Sequence, residues 1–378
     1  MYNFKDSVAH AAIKAFGRLP IDRKKIVFMS YRGLYYNDNP RAIYEEFVKK
    51  HPDYHYVWVL NHNNADVGKA KVVKHGSLEE IYHLATAKVW VDNKRKGEWL
   101  VKRDGQFYVQ TWHAGVTMKK VEKDAEENLA DHYVRSAKHD STITDVILSG
   151  SKWSTDTYRS SFWYDGEILE AGLPRSDIFY KDPSEISEKV RSAYGLDPED
   201  RLILYAPTYR EDMSLDCYGI DYERLLESFG RRFGGKWKIL VRLHANVAQH
   251  SDIIRYSDTI LDGTKYQDIN ELIIASEFLI SDYSSCMFDA LEAGKKIVMF
   301  ATDIEKYMKD RGTYFTLEEL PGPLTRDNDE LCGAIDSFDE EYYNEEIRKF
   351  MEERICNYNN AHGAEKVVDY IMKKITAK

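Results

Sequence analysis

The sequence has few of the features that mark membrane-spanning, secreted or metal-binding proteins. Among its 378 residues, no apolar run approaches the roughly 20 residues of a transmembrane helix, and its N-terminus lacks the apolar core of a signal peptide. Its four cysteines (Cys217, Cys286, Cys332 and Cys356) form no CxxC pair and no Cys/His spacing suited to zinc. We therefore expect a soluble cytosolic chain with reduced thiols and no bound metal.

Basic residues are outnumbered by acidic ones. Lysine and arginine total 53 against 63 aspartates and glutamates, which gives a formal net charge of −10. Nucleic-acid binding draws most of its affinity from a basic surface, so bulk nucleic-acid binding is not expected. A local basic pocket for a phosphorylated ligand is compatible with this charge.

Several catalytic motifs are absent from the sequence. It has no GxxxxGK(S/T) phosphate loop, no GxGxxG after the first strand-like run and no GxSxG turn. No acidic DxD motif follows a predicted strand. These absences argue against P-loop chemistry, dinucleotide redox chemistry and serine hydrolysis, and they imply neither a tightly held metal nor a cofactor.

The residues that are present predict an α/β protein. Strand-like runs such as KIVFMSY (25–31) and HYVWVLN (55–61) alternate with helical stretches such as NPRAIYEEFVKK (39–50), which is typical of βαβ units and a parallel sheet. A polar stretch with two prolines (181–201) interrupts this pattern before it restarts. We predict two Rossmann-like domains that face each other across a cleft, the GT-B architecture. Their ranges are 1–185 and 186–378. The sequence leaves open whether the last helix packs back on the first domain.

The N-terminal segment FKDSVAHAAIKAFGRLP (4–20) predicts an amphipathic helix. Its apolar residues cluster on one side of a helical wheel, with lysine and arginine elsewhere. Such a helix either lies on a membrane surface or packs against its own domain. The clustered residues are Phe4, Val8, Ala11, Ala12, Ala15 and Phe16.

Polar side chains follow the predicted strands, and ligands of open parallel sheets bind at that edge. In VQTWHAGVTMKK, His113 follows a strand-like run and precedes Lys119 and Lys120. It is either a turn histidine or a catalytic base beside a phosphate. The second half places Pro207, Thr208 and Arg210, then Arg242 and His244, then Asp282, Ser284 and Ser285 after three further strands.

The SDYSS stretch (281–285) runs directly into a predicted helix, so its serines either cap that helix or help to form an anion site for a diphosphate. Arg242 and His244 stand two residues apart and form either a phosphate-binding pair or a surface ion pair with a structural histidine. Glu292 either accepts bonds from ribose hydroxyls or faces solvent, and Arg311 either approaches a phosphate or lies in a turn.

Six motifs occur in a fixed order, and together they resemble those of the CDP-glycerol glycerophosphotransferases of teichoic acid synthesis. The resemblance runs from about residue 25 to the end of the second half. It implies a GT-B fold and transfer of glycerol phosphate from CDP-glycerol, or of ribitol phosphate from CDP-ribitol, to a polyprenyl-diphosphate-linked disaccharide, with release of CMP. It also implies a peripheral protein on the cytoplasmic face of the membrane. The motifs are WHA…KK, GLPRSD, APTYR, RLH, ISDYSSCMFDALEAGKKIVMF and YMKDRG.

The resemblance also implies roles for individual residues. His113 matches the general base, and His244 matches a second catalytic histidine near the donor diphosphate. Ser284, Ser285 and Arg311 match residues that bind the donor phosphates, while Asp282 belongs to the same loop. Pro207, Thr208 and Arg210 match the loop at the donor cleft. Lys119 and Lys120 are candidates for binding the acceptor diphosphate.

One motif departs from the family pattern. Polymerising members usually read WHGTPLKK, whereas this chain reads WHAGVTMKK, one residue longer before the lysines. That variant and the chain length resemble the priming members, which add a single unit. Ala114 stands where the family has glycine, so the tight turn would fall to Gly115.

Other interpretations stay open from the sequence. They are polymerisation of glycerol or ribitol phosphate, a GT-B glycosyltransferase or epimerase that uses a UDP-sugar, and a non-catalytic protein that binds CDP-alditols. The sequence also leaves open whether the chain forms a homo-oligomer.

Overall fold

The computed structural model describes residues 4–62, 66–208, 210, 219–243, 254–305, 307 and 312–377. By internal contacts the chain divides into two compact units. The first unit comprises Met1–Gly115, Val121–Asp177 and Asn357–Lys378, and the second comprises Val116–Lys120 and Ile178–Cys356.

The first unit is built on a seven-stranded, entirely parallel sheet with the strand order β3-β2-β1-β4-β5-β6-β7. Its strands are Asp22–Met29 (β1), His55–Leu60 (β2), Lys71–Lys74 (β3), Ala87–Asp92 (β4), Phe107–Gln110 (β5), Val146–Leu148 (β6) and Glu167–Leu169 (β7). Its first five helices are Phe4–Phe16 (α1), Asp38–Lys50 (α2), Leu78–Thr86 (α3), Asp131–Ile143 (α4) and Lys152–Ser161 (α5).

The second unit contains a six-stranded parallel sheet with the order β10-β9-β8-β11-β12-β13. Its strands are Asp200–Tyr205 (β8), Lys236–Val241 (β9), Ile260–Asp262 (β10), Phe278–Ser281 (β11), Lys296–Phe300 (β12) and Leu324–Thr325 (β13). Its helices are Ser184–Tyr194 (α6), Tyr222–Phe233 (α7), Ile269–Ala275 (α8), Cys286–Glu292 (α9), Asn328–Asp336 (α10) and Glu340–Phe350 (α11).

The last helix, Gly363–Thr376 (α12), belongs to the first unit, where it packs on α2. The sequence predicted that the first half ends at residue 185. By internal contacts, the central segment of the first unit ends at Asp177, and residues 357–378 also belong to this unit. Residues 181–201, interpreted as a polar break, contain helix α6, which buries Val190 and ends at Gly195 in the left-handed conformation.

Both faces of the first sheet are buried, which explains why its strands are continuous apolar runs rather than alternating ones. On β1, Ile26 and Phe28 lie in one core cluster, while Val27 and Met29 lie in the cluster on the opposite face. Strands β3, of four residues, and β13, of two residues, were not predicted from the sequence.

Helix α3 begins with a side-chain cap at Ser77. The Ser77 hydroxyl accepts a hydrogen bond from the Glu80 amide at 3.1 Å. The Glu80 carboxylate in turn accepts from the amide of Gly76, the residue before the cap, at 2.6 Å. The cap therefore covers two amides that the helix itself cannot satisfy.

Helix α1 packs on α3, but its predicted apolar stripe is divided. Ile13 is buried, and Ala9, Ala12 and Phe16 pack against the core beside it. Phe4 and Val8, by contrast, are 85% and 48% exposed. Among the described residues, no helix combines the length and the apolarity needed to cross a bilayer.

Candidate active site

The loop that follows β5 carries His113, three residues beyond the strand's last residue, Gln110. The turn is formed at Trp112, whose φ of 51° is left-handed, and not at Gly115 as the sequence suggested. Gly115 serves a different purpose, since a Cβ atom there would lie 3.0 Å from Leu173 Cδ1. The left-handed Trp112 thus immediately precedes His113 at the carboxyl edge of the sheet.

The imidazole of His113 is held at both nitrogens. Nδ1 lies 3.3 Å from the carbonyl oxygen of Asn93, and Nε2 lies 3.0 Å from Nζ of Lys94. Because a carbonyl can only accept, Nδ1 is the donor in the first contact, which leaves the lone pair on Nε2. The ring is therefore oriented with its basic nitrogen toward the lysine.

Electrostatics keep this imidazole neutral. Burial, and after it the neighbouring Lys94 ammonium, hold the pKa of His113 well below its ordinary range. Burial also lowers the pKa of Lys94 to about 8. At neutral pH the pair is accordingly an unprotonated imidazole beside an ammonium group, which is the protonation state that a general base requires.

A network of strained loops supports the pair. Asn93 accepts a hydrogen bond from the Tyr31 amide at 2.8 Å and donates one to Asp38 at 2.9 Å. Tyr31, Asp38 and Trp112 all have left-handed φ values, which cost free energy and cluster at functional sites. The Tyr31 ring meets the His113 ring edge-on, with centroids 5.8 Å apart.

Sequence reasoning missed Asn93, Lys94 and Arg175 as members of this site. Asn93 and Lys94 directly follow β4, so the rule that identified His113 would have found them if it had been applied to that strand. Arg175 lies in the GLPRSD motif. Its Nε is 3.6 Å from the Asp38 carboxylate, and its backbone amide donates to Asn39.

In the second unit, Arg210 and Asp282 come together, but as an internal ion pair. The Arg210 guanidinium donates to Asp282 at 2.8 Å, to Asp303 at 2.7 and 3.0 Å, and to the Thr208 carbonyl at 2.6 Å. Asp282 also accepts from the Thr208 amide at 2.8 Å. These contacts make Arg210 and Asp282 the frame of the loop that presents Pro207 and Thr208.

The serine loop lies at the start of α9. The Ser284 hydroxyl accepts from the Cys286 amide at 3.4 Å, whereas the Ser285 side chain makes no capping bond. Glu292 is the last residue of α9 and is half-buried. Arg242 donates to the carbonyl oxygens of Gly263 and Tyr266, so it ties the end of β9 to the segment after β10.

Lys119 and Lys120 belong to the second unit, although they follow His113 by only a few residues. The Lys120 amide donates to the Gly312 carbonyl at 2.9 Å, and the Tyr314 amide donates to Met118 at 2.8 Å. The two lysines therefore lie beside the segment that follows Arg311. His244 and Arg311 lie outside the described residues, so their predicted roles stay predictions.

Known proteins resemble this chain along nearly its whole length. The sequence model of the CDP-glycerol:poly(glycerophosphate) glycerophosphotransferase family matches residues 11–373. The teichoic acid poly(glycerol phosphate) polymerase of Staphylococcus epidermidis is 33% identical over 368 residues, which cover 93% of this chain and 51% of that protein. The chain thus spans about half the length of this relative. The teichoic acid glycerol-phosphate transferase of Staphylococcus aureus is 28% identical over 382 residues, 96% of each chain.

A solved structure of the wall teichoic acid polymerase TagF is 30% identical and superposes with a TM-score of 0.87, covering 98% of this chain and 93% of that one. A TagF variant soaked with CDPG gives a TM-score of 0.86 at 31% identity over the same shares of the two chains. These likenesses and the two parallel sheets confirm the predicted fold class of two Rossmann-like α/β domains.

Proposed function

Since the chain belongs to the CDP-glycerol:poly(glycerophosphate) glycerophosphotransferase family, we propose that it transfers glycerol phosphate from CDP-glycerol to an acceptor hydroxyl and releases CMP. The acceptor in this proposal is a disaccharide carried on undecaprenyl diphosphate, in wall teichoic acid synthesis. The observation that carries the proposal is His113, whose Nδ1 is fixed by the Asn93 carbonyl so that Nε2 is the basic nitrogen.

The chemistry needs such a base. A hydroxyl is a poor nucleophile at neutral pH, and a neutral imidazole that takes its proton contributes typically about 10²–10⁴-fold to the rate. In the proposed step the hydroxyl oxygen bonds to the phosphorus that carries glycerol, and its proton passes to Nε2. The bond from that phosphorus to the bridging oxygen breaks, and CMP leaves with the electron pair.

Donor binding is proposed for the second unit. The Thr208 hydroxyl is buried and has no hydrogen-bond partner among the residues that the structure describes, so it is a candidate for a ligand contact. Arg210 and Asp282 would act indirectly, by holding that loop. Ser284, Ser285, Arg242 and Glu292 complete the proposed donor site, together with His244 and Arg311.

Lys119 and Lys120 are proposed to bind the acceptor diphosphate. Their hydrogen-bonded position beside Gly312 supports a second possibility, that they bind the donor diphosphate together with Arg311. Substituting Lys120→Met separates the two, because only the second predicts a weaker affinity for CDP-glycerol in the absence of acceptor.

The proposed activity is tested by CMP release. CDP-glycerol and a lipid-linked disaccharide analogue should yield CMP, whereas UDP-sugars should yield no UDP, and CDP-ribitol in parallel reports the choice of donor. An absence of CMP with every CDP-alditol would overturn the proposal.

The WHAGVTMKK variant supports a single addition of glycerol phosphate. Mass spectrometry after long incubation should therefore find one added unit, whereas a ladder of products would show polymerisation instead.

We further propose that the protein binds the cytoplasmic membrane surface through α1. Phe4 and Val8, near the start of α1, are apolar and exposed, while Ile13 and Phe16 further along the helix pack on their own unit. The double substitution Phe4→Ser/Val8→Ser should reduce co-sedimentation with anionic vesicles and leave CMP release from a water-soluble acceptor unchanged. Equal sedimentation of the variant and the parent would exclude this surface.

A further inference from the structure

The side chain of Lys94 blocks the proposed proton transfer for as long as it stays beside His113. Its Nζ lies 3.0 Å from Nε2 of His113, the nitrogen that carries the ring's available lone pair. A hydroxyl that donates to Nε2 would need that same lone pair. The proton can therefore be transferred to His113 only after the Lys94 ammonium has moved to another partner.

The free protein offers Lys94 little else to bind. Within the described part of the chain, no carboxylate lies within ion-pair distance of its Nζ, which has only His113 and the Tyr31 ring, whose centroid is 5.2 Å away. The backbone of Lys94 is firmly held, since its amide donates to Asp92 at 3.0 Å and its carbonyl accepts from Gln110 at 3.2 Å. The ammonium is thus a positioned cation with no carboxylate in ion-pair contact among the described residues.

The neighbouring cations differ from Lys94 in this respect. Arg95 is bound by Glu122 at 2.9 Å and by Asp140 at 3.0 Å, and Lys96 is bound by Asp92. Of the three basic residues in this loop, two are paired with carboxylates, whereas Lys94 has none within ion-pair distance in the part of the chain that the structure describes. An ammonium group binds a charged phosphoryl oxygen more strongly than it binds a neutral imidazole, because in the first case both partners are charged.

We propose that Lys94 is a substrate-binding residue that holds a phosphoryl oxygen beside His113, and that binding this oxygen releases Nε2 to accept the proton of the attacking hydroxyl. The inference rests on the proposed function, in which the substrates carry phosphoryl groups. It couples the availability of the base to the presence of substrate, since His113 becomes free only when an anion draws Lys94 away.

The pair lies among several charged groups, all of which bear on its titration. Asp38, Arg32, Asp92 and Glu122 act on Lys94, while Arg175 and Arg95 act on His113. Lys94→Met removes the ammonium and leaves these groups in place. Lys94→Arg restores the charge. Lys88→Met is the matched control, because Lys88 lies on β4, the strand that leads to Lys94, and its ammonium donates to the Gly105 carbonyl.

Binding is tested first, with inorganic phosphate as the probe and at constant ionic strength. NMR titration of the His113 ring, assigned with a His113→Asn variant, should show in the parent that phosphate raises the pKa of His113. Lys94→Met should weaken phosphate binding roughly 10–100-fold, the loss expected for one charge-assisted hydrogen bond. Lys94→Arg and Lys88→Met should retain binding. Unchanged phosphate affinity in Lys94→Met would overturn the inference.

Kinetics then identify the source of the phosphoryl group. If the donor supplies it, Lys94→Met should raise KM for CDP-glycerol with every acceptor. If the acceptor supplies it, Lys94→Met should raise KM for the diphosphate-linked acceptor and leave KM for CDP-glycerol unchanged. In the parent, kcat/KM should fall as Lys94 loses its proton near pH 8, and Lys94→Arg should move this limb to higher pH. A kcat/KM of Lys94→Met equal to that of the parent contradicts the inference. Failure of the parent to release CMP would instead refute the proposed function, while the phosphate titration would still decide the role of Lys94.

Discussion

The loops at the carboxyl edges of the two sheets treat their cations in opposite ways. In the second unit, Arg210 is buried and bound by two carboxylates, those of Asp282 and Asp303. In the first unit, Lys94 contacts the neutral ring of His113, without a carboxylate within ion-pair distance in the described part of the chain. A fully neutralised cation stabilises its own loop, whereas a positioned cation that lacks an anion is available to a ligand.

The comparison is tested most severely at His113, the imidazole that Lys94 contacts. The substitution His113→Ala should lower kcat by about 10²–10⁴-fold, the usual contribution of a general base. CDP-glycerol binding, measured by calorimetry without acceptor, should persist. A variant that retains a tenth or more of the parent kcat would remove His113 from the role of base.

Removing the buried cation of the second unit, Arg210, should lower stability and not act directly on catalysis. In Arg210→Met, Asp282 and Asp303 lose their common partner, so unfolding of the second unit in urea should be easier by about 3–5 kcal/mol. Arg231→Met is the control, since it breaks an exposed ion pair with Asp336 and should hardly change the free energy of unfolding. Normal stability of Arg210→Met, together with lost donor affinity, would make Arg210 a direct ligand.

Part of this arrangement was predictable from the sequence. The α/β pattern was readable because buried parallel strands form continuous apolar runs, as in β1. The strand-end rule also located His113. The frame around Arg210 was not readable, because Asp303 lies 93 residues further along the chain. Nor could the spacing of WHAGVTMKK show that its last five residues join the second unit.

A second neutral histidine separates burial from function within the first unit. Burial, and after it Lys25, lower the pKa of His83 on α3 to about 4, and neither of its ring nitrogens has a hydrogen-bond partner among the described residues. In the unfolded chain the imidazole of His83 has its ordinary pKa of about 6.5. Stability should therefore be lost as the pH falls from about 6.5 to 4, by roughly 3 kcal/mol from this group alone.

The substitution His83→Leu checks this contribution. Chemical denaturation at about pH 7 and about pH 4.5, on either side of most of this titration, should show a smaller acid loss in the variant than in the parent. CMP release at neutral pH should be unchanged. An equal acid loss in the two proteins would mean that other groups carry the effect. A decrease in CMP release would mean that His83 is not purely structural.

The smallest effect concerns the turn beside His113, where close approach and conformational freedom can be separated. In Gly115→Ala the new methyl group would meet Leu173 Cδ1 at 3.0 Å, so Leu173 must shift by a few tenths of an ångström. We expect a stability loss of about 1 kcal/mol and a several-fold lower kcat, since a displaced turn misaligns the imidazole. Gly230→Ala is the control, because a Cβ atom added there in helix α7 would meet no atom within 4 Å, and alanine should stabilise that helix by about 0.5–1 kcal/mol. An unchanged kcat in Gly115→Ala would show that the left-handed Trp112 alone sets the position of His113.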